Sequence, residues 1–510
     1  MRIAFAGQDY LTNAGETVLS ALLRQGAPVS HSCRKGSCQV CVLRLLRGEV
    51  EHEREVDPGL LEEGHILPCV ARPRGDIELA PPQATRMSIE AEVVGVRRLA
   101  ADIVALDIAP FRDIAYRAGQ HVVLVREDGM SRPYSLASIA GADFFFSIHV
   151  RRIEGGAMSA WLCDQVRRGQ RLRLRGPTGA MHYTHAMRER PLLMLATGTG
   201  GGALLALARE ALAAGHAAPI EFYHGARRGE DLYLHAELRG LARADSRFRY
   251  WPWLTGDAGF AEARHGRISD FAFEEGCDLS ESEVFLCGLP RMVEEARWRA
   301  VQAGVRRECI HADPFDFVQA RAPRDAEKLR MIAPDPELWA ALDEGPVLTR
   351  ILDAFYARVF EDARLAPFFH GVSRARAVQK QYEFLADVIS GQRAYFGLNP
   401  FNAHHWMVIS DELFDYRETM FESVLREQGL AEPLIRRWLA LHERFRAEIV
   451  KAAPRGMVSQ GVEQPYRVQS VERLDIDSVC DGCGKAIPAG SPSRYQHRIG
   501  ALHCAGCAGL

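Results

Sequence analysis

Two features that would place this chain in other protein classes are missing, namely a long apolar run and a strong net charge. The longest apolar stretch, Pro191 to Ala214, is interrupted by glycines, so it does not fit a plain membrane-spanning helix. The apolar start, Met1 to Gly7, is too short for a secretory signal. A formal net charge of −3 gives no reason to expect a nucleic-acid partner. We therefore expect a cytoplasmic protein that binds neither nucleic acid nor a membrane.

The cysteines are unevenly placed along the chain. The 510 residues include 12 cysteines, and most of them fall in two tight groups. In a chain without an export signal, such spacing favours metal ligands over disulfides. The length predicts several domains, each able to bury a core of its own.

The first cysteine group lies in residues 1–84. Its C-x4-C-x2-C…C spacing is typical of plant-type 2Fe–2S proteins, whereas zinc sites favour two separated CxxC pairs. Gly36 allows the backbone to wrap closely around a cluster. The whole segment resembles a plant-type ferredoxin domain, which implies an α+β β-grasp fold. The implied cluster ligands are Cys33, Cys38, Cys41 and Cys69.

Residues 87–186 carry two polar segments among strand-like patterns. Arg132 to Ser138 follows one alternating apolar run and precedes another, and Gly155 to Leu162 opens a helix with small residues that suit a phosphate. At this spacing the two segments resemble the flavin domain of the ferredoxin–NADP reductase family, an antiparallel β-barrel. The resemblance implies that Arg132 and Ser159 hold the FAD pyrophosphate and that Tyr134 and Ser135 contact the flavin ring. The full implied FAD set is Arg132, Tyr134, Ser135, Ser138, Gly156 and Ser159.

Residues 190–318 combine a buried-strand pattern, a glycine turn and a helix pattern. In this order a glycine-rich loop indicates a dinucleotide site. Later strand ends complete a resemblance to the Rossmann-like α/β nicotinamide domain of the same family, in which Cys287 would lie against the nicotinamide. The implied nucleotide-binding set is Gly198, Thr199, Gly200, Gly201, Arg227, Cys287 and Gly288. Arg227 and Arg228 leave NADH and NADPH both open, and the ferredoxin-first order resembles oxygenase reductases, which usually take NADH.

After a charged linker (319–336), residues 337–453 have an almost wholly helical pattern. Periodicity alone would also fit a helical docking or dimerisation domain. The motifs in order nevertheless resemble those of the truncated haemoglobins, an all-α fold. These motifs are Phe355-Tyr356, Phe368-Phe369-His370-Gly371, Lys380-Gln381-Tyr382-Glu383-Phe384, Tyr395-Phe396-Gly397 and His404.

This resemblance implies a haem b site. His404 is favoured over His405 as the iron ligand because Ile409 follows it at the expected distance. Tyr356 and Gln381 would face the O₂-binding side as catalytic residues, since polar donors stabilise bound oxygen. Arg417 stands where other groups of the family carry a tryptophan.

A second linker (454–475) leads to a small cysteine-rich tail, residues 476–510. Two CxxC knuckles there suit a tetrahedral zinc ion in a zinc-ribbon-like domain, while rubredoxin-like iron uses similar ligands. Such a short segment with little apolar content could hardly fold without a metal. The predicted ligands are Cys480, Cys483, Cys504 and Cys507.

Together these domains predict a multi-domain NAD(P)H oxidoreductase in which FAD splits a hydride into single electrons for the cluster and the haem. The leading hypothesis is a nitric oxide dioxygenase that converts NO and O₂ to nitrate, because a globin that ends each cycle ferric needs a constant electron supply. The alternative is a reductase that feeds an external oxygenase, with the globin as an O₂ or NO sensor or gate. The sequence leaves open whether electrons reach the haem from FAD or from the cluster.

Overall fold

In the computed structural model the chain divides into two compact units, Met1–Ala320 with Arg436–Arg444, and Arg321–Ile435 with Phe445–Leu510. The structure describes residues 1–13, 16–27, 29, 31, 36, 39–52, 56, 61, 64–81, 88–256, 260–273, 277–315, 324–392, 398–451, 455–459, 462–463, 469–473, 477–480, 482–496 and 501–509. Within these ranges no helix has both the length and the apolar character needed to cross a bilayer.

The N-terminal domain is a mixed sheet with one helix packed on it. Its strands are β1 (Arg2–Phe5), β2 (Gln8–Leu11), β3 (Leu43–Arg47), β4 (Val50–His52), β5 (His65–Ile66), β6 (Ala71–Pro73) and β7 (Ile77–Ala80). The main sheet has the order β2-β1-β7-β3-β5, in which only the described β1–β7 pair is parallel. Helix α1 (Val18–Arg24) begins after Thr17, whose side chain accepts a hydrogen bond from the Ser20 N–H. The expected α+β ferredoxin fold is confirmed.

The next domain is an antiparallel barrel. Its elements are β8 (Ile89–Ala100), β9 (Ile103–Pro110), β10 (His121–Val125), β11 (Ser131–Ser135), β12 (Phe146–Arg151), α2 (Ala157–Ala160) and β13 (Arg171–Thr178). The strand order is β11-β10-β13-β8-β9-β12, and every described pair is antiparallel. An additional bridge between Leu136 and Ile148 joins the two edge strands and so closes the sheet.

A doubly wound parallel sheet follows. Its elements are β14 (Leu192–Thr197), α3 (Gly200–Ala213), β15 (Ile220–Ala226), α4 (His235–Ala244), β16 (Phe248–Leu254), β17 (Arg264–His265), α5 (Ile268–Phe271), β18 (Glu283–Gly288), α6 (Pro290–Gln302) and β19 (Ile310–Pro314). The strand order is β17-β16-β15-β14-β18-β19, and all described pairs are parallel. The chain adds β15 to β17 on one side of β14 and β18 and β19 on the other, so the winding reverses between β14 and β18. Ligands of such sheets bind at the carboxyl ends of the strands beside that reversal.

The following region is helical, as expected. Its helices are α7 (Asp325–Met331), α8 (Pro336–Ala341), α9 (Pro346–Glu361), α10 (Arg374–Ser390), α11 (Pro400–Ala403), α12 (Asp411–Glu427), α13 (Glu432–Glu443) and α14 (Arg446–Ile449). The stretch expected to be a linker, 319–336, contains helix α7. Buried Asp325 accepts a hydrogen bond from the Phe401 N–H at 2.8 Å, and Lys328 contacts the Glu448 carboxylate at 2.7 Å. Both partners are distant in sequence, so local composition could not reveal this helix.

The C-terminal region consists of short strands and one helical turn. Its elements are β20 (Val458–Ser459), β21 (Val462–Glu463), β22 (Gln469–Arg473), β23 (Ser478–Val479), β24 (Ala486–Ile487), β25 (Pro492–Gln496), β26 (Ala501–Cys504) and α15 (Ala505–Ala508). Strand β22 lies inside the expected linker 454–475 because it pairs with β25 in the sheet β22-β25-β26. Among the described residues here, Cys480, Ile487 and Leu502 form a small buried cluster.

Candidate redox and metal sites

Three of the predicted FAD residues lie on β11, namely Arg132, Tyr134 and Ser135. The Ser135 hydroxyl donates a hydrogen bond to the Asp313 carboxylate of β19 at 2.7 Å. Burial raises the pKa of Tyr134, so its phenol stays neutral and can donate a hydrogen bond. Arg132 Nη1 donates to the Ser131 carbonyl at 2.7 Å. An arginine, an aromatic ring and a hydroxyl therefore stand along one strand edge.

Two other predicted FAD residues make bonds within the barrel itself. The buried Ser138 hydroxyl accepts from the Tyr116 hydroxyl at 2.9 Å and from the Ser147 N–H at 3.0 Å. The Ser159 hydroxyl accepts from the Ile153 N–H at 3.1 Å and donates to the Gly156 carbonyl at 3.1 Å. Ser138 can offer a ligand only its remaining hydroxyl proton, because both acceptor lone pairs are used. Gly156 caps α2 and is followed by the small residues that a phosphate would approach.

The predicted nucleotide crevice lies between the ends of β14 and β18, where the backbones approach closely. A β-carbon on Gly200 would lie 2.5 Å from the Cys287 carbonyl oxygen, and one on Gly288 would lie 2.3 Å from the Thr197 carbonyl oxygen. Neither backbone oxygen can move aside cheaply, so both positions require glycine. Gly198 and Thr199 form the turn, and Gly200 and Gly201 begin α3. The predicted glycine residues thus meet the predicted Cys-Gly element.

Cys287 is completely buried at this crevice. Burial raises the pKa of its thiol well above the usual value, and the Asp313 carboxylate raises it further. Cys287 also pairs with Asp313 in the β18–β19 register. Three strands therefore bring Ser135, Cys287 and Asp313 to one place. Sequence reasoning missed Asp313 because its partner Ser135 is 178 residues away.

A histidine–tyrosine pair beside α3 was also missed. His149 Nδ1 lies 2.9 Å from the Tyr233 hydroxyl, and burial lowers the pKa of His149 to about 4. Arg151, two residues further along β12, contacts Asp102 at 3.2 Å and Asp231 at 3.7 Å. No local motif marks these residues, since each gains its position from the packing of the barrel on the parallel sheet.

The two arginines after β15 differ in their surroundings. Arg228 is ion-paired with Glu230 at 2.8 Å and with Asp231 at 3.4 Å. Arg227 is exposed and runs along the backbone at Gly256, where an added β-carbon would lie 3.1 Å from Arg227 Cγ. Acidic side chains thus neutralise one of the two cations available to a nucleotide ribose.

The two described cysteines of the first group lie in the ferredoxin core. Cys41 and Cys69 are both buried there, whereas Cys33 and Cys38 lie outside the described residues. A pair of buried thiols beside a loop fits two of the four predicted ligands.

In the helical domain, His404 has the surroundings that an iron ligand needs. Its Nδ1 lies 2.8 Å from the Pro400 carbonyl, which fixes the tautomer and leaves the Nε2 lone pair for a metal. Burial lowers the pKa of His404 to about 4, so the ring is neutral. His405 makes an equivalent bond to the Asn402 carbonyl at 2.7 Å. Burial raises the pKa of Tyr356, and the Arg417 charge opposes that rise only in part, so the phenol stays protonated.

Tyr356 lies on α9 within an aromatic shell. Its ring centroid is 5.6 Å from that of Phe369 and 6.4 Å from that of Phe360. The Arg417 guanidinium sits 4.7 Å from the Phe355 ring centroid and is ion-paired with buried Glu418. Gln381 is half-buried on α10, and the predicted Tyr395-Phe396-Gly397 step lies outside the described residues. A neutral imidazole, a buried phenol and an aromatic wall fit a haem.

The cysteines of the tail converge on one point. The sulfur atoms of Cys480, Cys483, Cys504 and Cys507 all lie within 4.8 Å of one another. The Cys504 N–H points at Cys480 Sγ, 3.3 Å away, and Cys483 Sγ lies 3.8 Å from Cys504 Sγ. Four sulfur donors at this spacing suit one tetrahedral ion.

Four family models match separate parts of the chain. They are the 2Fe-2S iron-sulfur cluster binding domain (residues 5–74), the oxidoreductase FAD-binding domain (94–183), the oxidoreductase NAD-binding domain (194–297) and the bacterial-like globin (338–451). The reductase subunit of an aromatic O-demethylase from Amycolatopsis sp. is 33% identical over 332 residues, which are 61% of this chain and 98% of that protein. The chain belongs to this family of iron–sulfur flavoprotein reductases.

Other members are similar over the same region. The xylene/toluene monooxygenase electron transfer component XylA of Pseudomonas putida is 30% identical over 324 residues, 61% of this chain and 91% of that protein. The crystal structure of the Amycolatopsis cytochrome P450 reductase GcoB shares 31% identity, covers 62% of this chain and 98% of that one, and gives a TM-score of 0.46. As a member of this reductase family the chain uses FAD, NAD(P)H and a 2Fe–2S cluster, and its globin domain adds a haem.

Proposed function

We propose that this chain is an NAD(P)H-driven nitric oxide dioxygenase that supplies its own electrons. The observation that carries the proposal is the presence, in one polypeptide, of a full reductase and a globin domain. A globin that only stores oxygen needs little reducing power, whereas one that becomes ferric in each cycle needs one electron every time. Conversion of one NO and one O₂ to one nitrate consumes one electron, so one hydride serves two turnovers.

The residues of the helical domain support this chemistry. Haem, when bound, supplies the iron at which O₂ and NO react. The Pro400 carbonyl orients His404, and aromatic rings pack against the buried Tyr356. The Tyr356 hydroxyl and the Gln381 amide supply the polar donors that we assign to the ligand side.

The test is NO consumption by the full-length holoprotein with NADH and O₂. We expect rapid NO loss with nitrate as the product, and Tyr356→Phe should slow it by about tenfold, the usual effect of losing a hydrogen-bond donor to developing charge. Tyr416→Phe is the matched control, because Tyr416 instead hydrogen-bonds the Asp362 carboxylate. NO that decays at the buffer rate would overturn the proposal.

A second candidate function is a reductase for an external oxygenase, with the globin as sensor or gate. It is favoured by the relatives, which are named as a reductase subunit of an O-demethylase and an electron transfer component of a monooxygenase. Under this function NADH oxidation requires an added acceptor protein, and CO on the haem changes the rate of that transfer. Under the dioxygenase function, NADH oxidation follows added NO without any other protein.

We further propose that NADH is the preferred nucleotide. Glu230 and Asp231 occupy the Arg228 guanidinium and place negative charge where a 2′-phosphate would bind. Flavin reduction by NADH and by NADPH, compared at equal concentrations, tests this. We expect NADH to reduce the flavin faster than NADPH does, and the Glu230→Gln variant should show a smaller difference between the two rates. Faster flavin reduction by NADPH in the parent would contradict the assignment.

We also propose that the tail binds one zinc ion through its four cysteines. The buried cluster that the described residues of the tail form is small and includes Cys480 itself, so burial of apolar surface contributes little to this fold. Metal analysis should give one zinc per chain beyond the iron of the cluster and haem, and Cys483→Ser should abolish it, while Cys277→Ser outside the tail should not. Iron in place of zinc, with the corresponding visible bands, would show a rubredoxin-like site instead.

A further inference from the structure

One short contact joins the cluster-binding loop to the flavin barrel. Val40 lies between the predicted ligands Cys38 and Cys41, and it is 2% exposed. It does not belong to the ferredoxin core but packs with Val123 and Val125 of β10. Val40, a described residue of the predicted cluster-binding segment, is therefore covered by another domain rather than by its own.

Strand alternation shows that this barrel surface would otherwise be exposed. Val122 and Leu124 of β10, together with Leu172 and Leu174 of β13, belong to the barrel interior. Their neighbours Val123 and Arg175 point to the opposite, outer face. Yet Val123 is 2% exposed and Arg175 is 8% exposed. A buried outer face requires a cover, and Val40 is part of it.

Arg175 makes the polar half of this contact. Its Nη2 donates to the Val40 carbonyl at 3.4 Å and to the Ser131 hydroxyl at 3.3 Å. Arg175 also stands opposite Val123 in the β10–β13 register. Ser131 immediately precedes Arg132 in β11. Arg175 therefore links Val40 to the strand that carries the predicted flavin residues.

The backbone of the loop turns at the residue before Val40. Gln39 has a φ of 54°, a left-handed conformation that is unfavourable for a non-glycine residue. The Gln39 carbonyl also accepts from the Val42 N–H at 3.3 Å, which closes the turn around Val40. The unfavourable conformation persists where surrounding contacts hold it, and the contact to Arg175 is one of these.

We propose that Arg175 is a positioning residue that fixes the cluster-binding loop on the flavin barrel, so that single electrons pass from flavin to cluster within one chain. NAD(P)H delivers two electrons as a hydride, and each cluster reduction accepts one of them. An external or haem one-electron acceptor must then reoxidise the cluster before the second transfer. Because Arg175 reaches the carbonyl of Val40, the neighbour of Cys41, its guanidinium charge would favour the reduced, more negative form of a bound cluster.

The test follows flavin bleaching and cluster reduction separately after anaerobic mixing of the holoprotein with NADH. In Arg175→Met we expect flavin reduction within about twofold of the parent and cluster reduction, seen by electron paramagnetic resonance, slowed about tenfold. The reduction potential of the cluster should become more negative. A tenfold change in the one-electron equilibrium between flavin and cluster corresponds to a shift of about 59 mV. The Arg175→Lys variant keeps the charge, so the reduction potential of its cluster should match that of the parent. Because lysine lacks the planar guanidinium fork, electron transfer from flavin to cluster should be slower than in the parent.

Arg171→Met is the matched control, because Arg171 occupies the same strand and face but is exposed. It should leave both rates and the potential unchanged. If Arg175→Met fails to retain FAD, Val123→Ala removes part of the apolar contact without a charge and should slow cluster reduction at an unchanged potential. Parent-like cluster reduction in these variants, or an equal slowing of flavin and cluster reduction, would overturn the proposal. This step precedes any acceptor, so its outcome is independent of the NO experiment.

Discussion

The reductase crevice and the globin pocket are built in different ways. In the crevice, backbone segments approach so closely that Gly200 and Gly288 have no room for a β-carbon. In the globin domain, the predicted haem residues are side chains, with Tyr356 packed on Phe369 and His404 held by the Pro400 carbonyl. Larger side chains should therefore slow hydride transfer in the crevice, whereas smaller side chains should disrupt the haem site.

The largest expected effect comes from adding one methyl group to the crevice. In Gly200→Ala the β-carbon would meet the Cys287 carbonyl at 2.5 Å, so α3 must shift away from the nicotinamide side. Because small misplacements of reacting groups cost about 100-fold in rate, we expect NADH to reduce the flavin about 100-fold more slowly. Gly240→Ala in α4, with nothing within 4 Å of the added carbon, should keep the parent rate. Parent-like flavin reduction in Gly200→Ala would show that the crevice is wider than described.

The next effect comes from removing a side chain in the globin. His404→Ala should abolish the Soret band and NO consumption, because the neutral Nε2 is lost, while NADH still reduces the flavin. His405→Ala is the control, since that ring is held in the same way by Asn402. Loss of the Soret band in His405→Ala with its retention in His404→Ala would assign the iron to the other histidine.

A smaller effect is expected where the crevice uses side chains. Asp313→Ala removes the acceptor for the Ser135 hydroxyl, and we expect hydride transfer to slow by about tenfold. If the two residues act as one unit, adding Ser135→Ala to this variant should cost little more. Fully additive losses, measured by single-turnover flavin reduction, would show that the 2.7 Å bond has no role in positioning.

The smallest effect is a pH dependence of the reductase half. Burial lowers the pKa of completely buried His224 from 6.5 to about 4, so the unfolded chain binds its proton first as the pH falls. The stabilisation is complete above the unfolded pKa and is lost progressively from about pH 6.5 down to 4. Between pH 7.5 and 5 we expect His224 to account for a loss of about 1–3 kcal/mol in unfolding free energy. Equal losses in the parent and in His224→Gln, measured by denaturant titration, would contradict this.

The contrast also explains what could be predicted from the sequence. Local signals, such as the C-x4-C-x2-C spacing and the Gly198–Gly201 turn, predicted iron–sulfur, flavin, nucleotide and globin domains that the family matches confirm. Asp313 and the Val40–Arg175 contact carried no signal, because each depends on strands that meet only in the folded sheet. The charged composition of 319–336 predicted a linker, and it could not reveal helix α7 because Asp325 gains its partner only from Phe401, 76 residues away.

The dioxygenase function is tested most directly by the ratio of NO consumed to NADH oxidised by the full-length holoprotein with excess O₂ and no other protein. One electron per nitrate predicts two NO consumed for each NADH, with nitrate equal to the NO lost. NADH oxidation that is unaffected by NO, or that begins only when an external acceptor protein is added, would contradict the account.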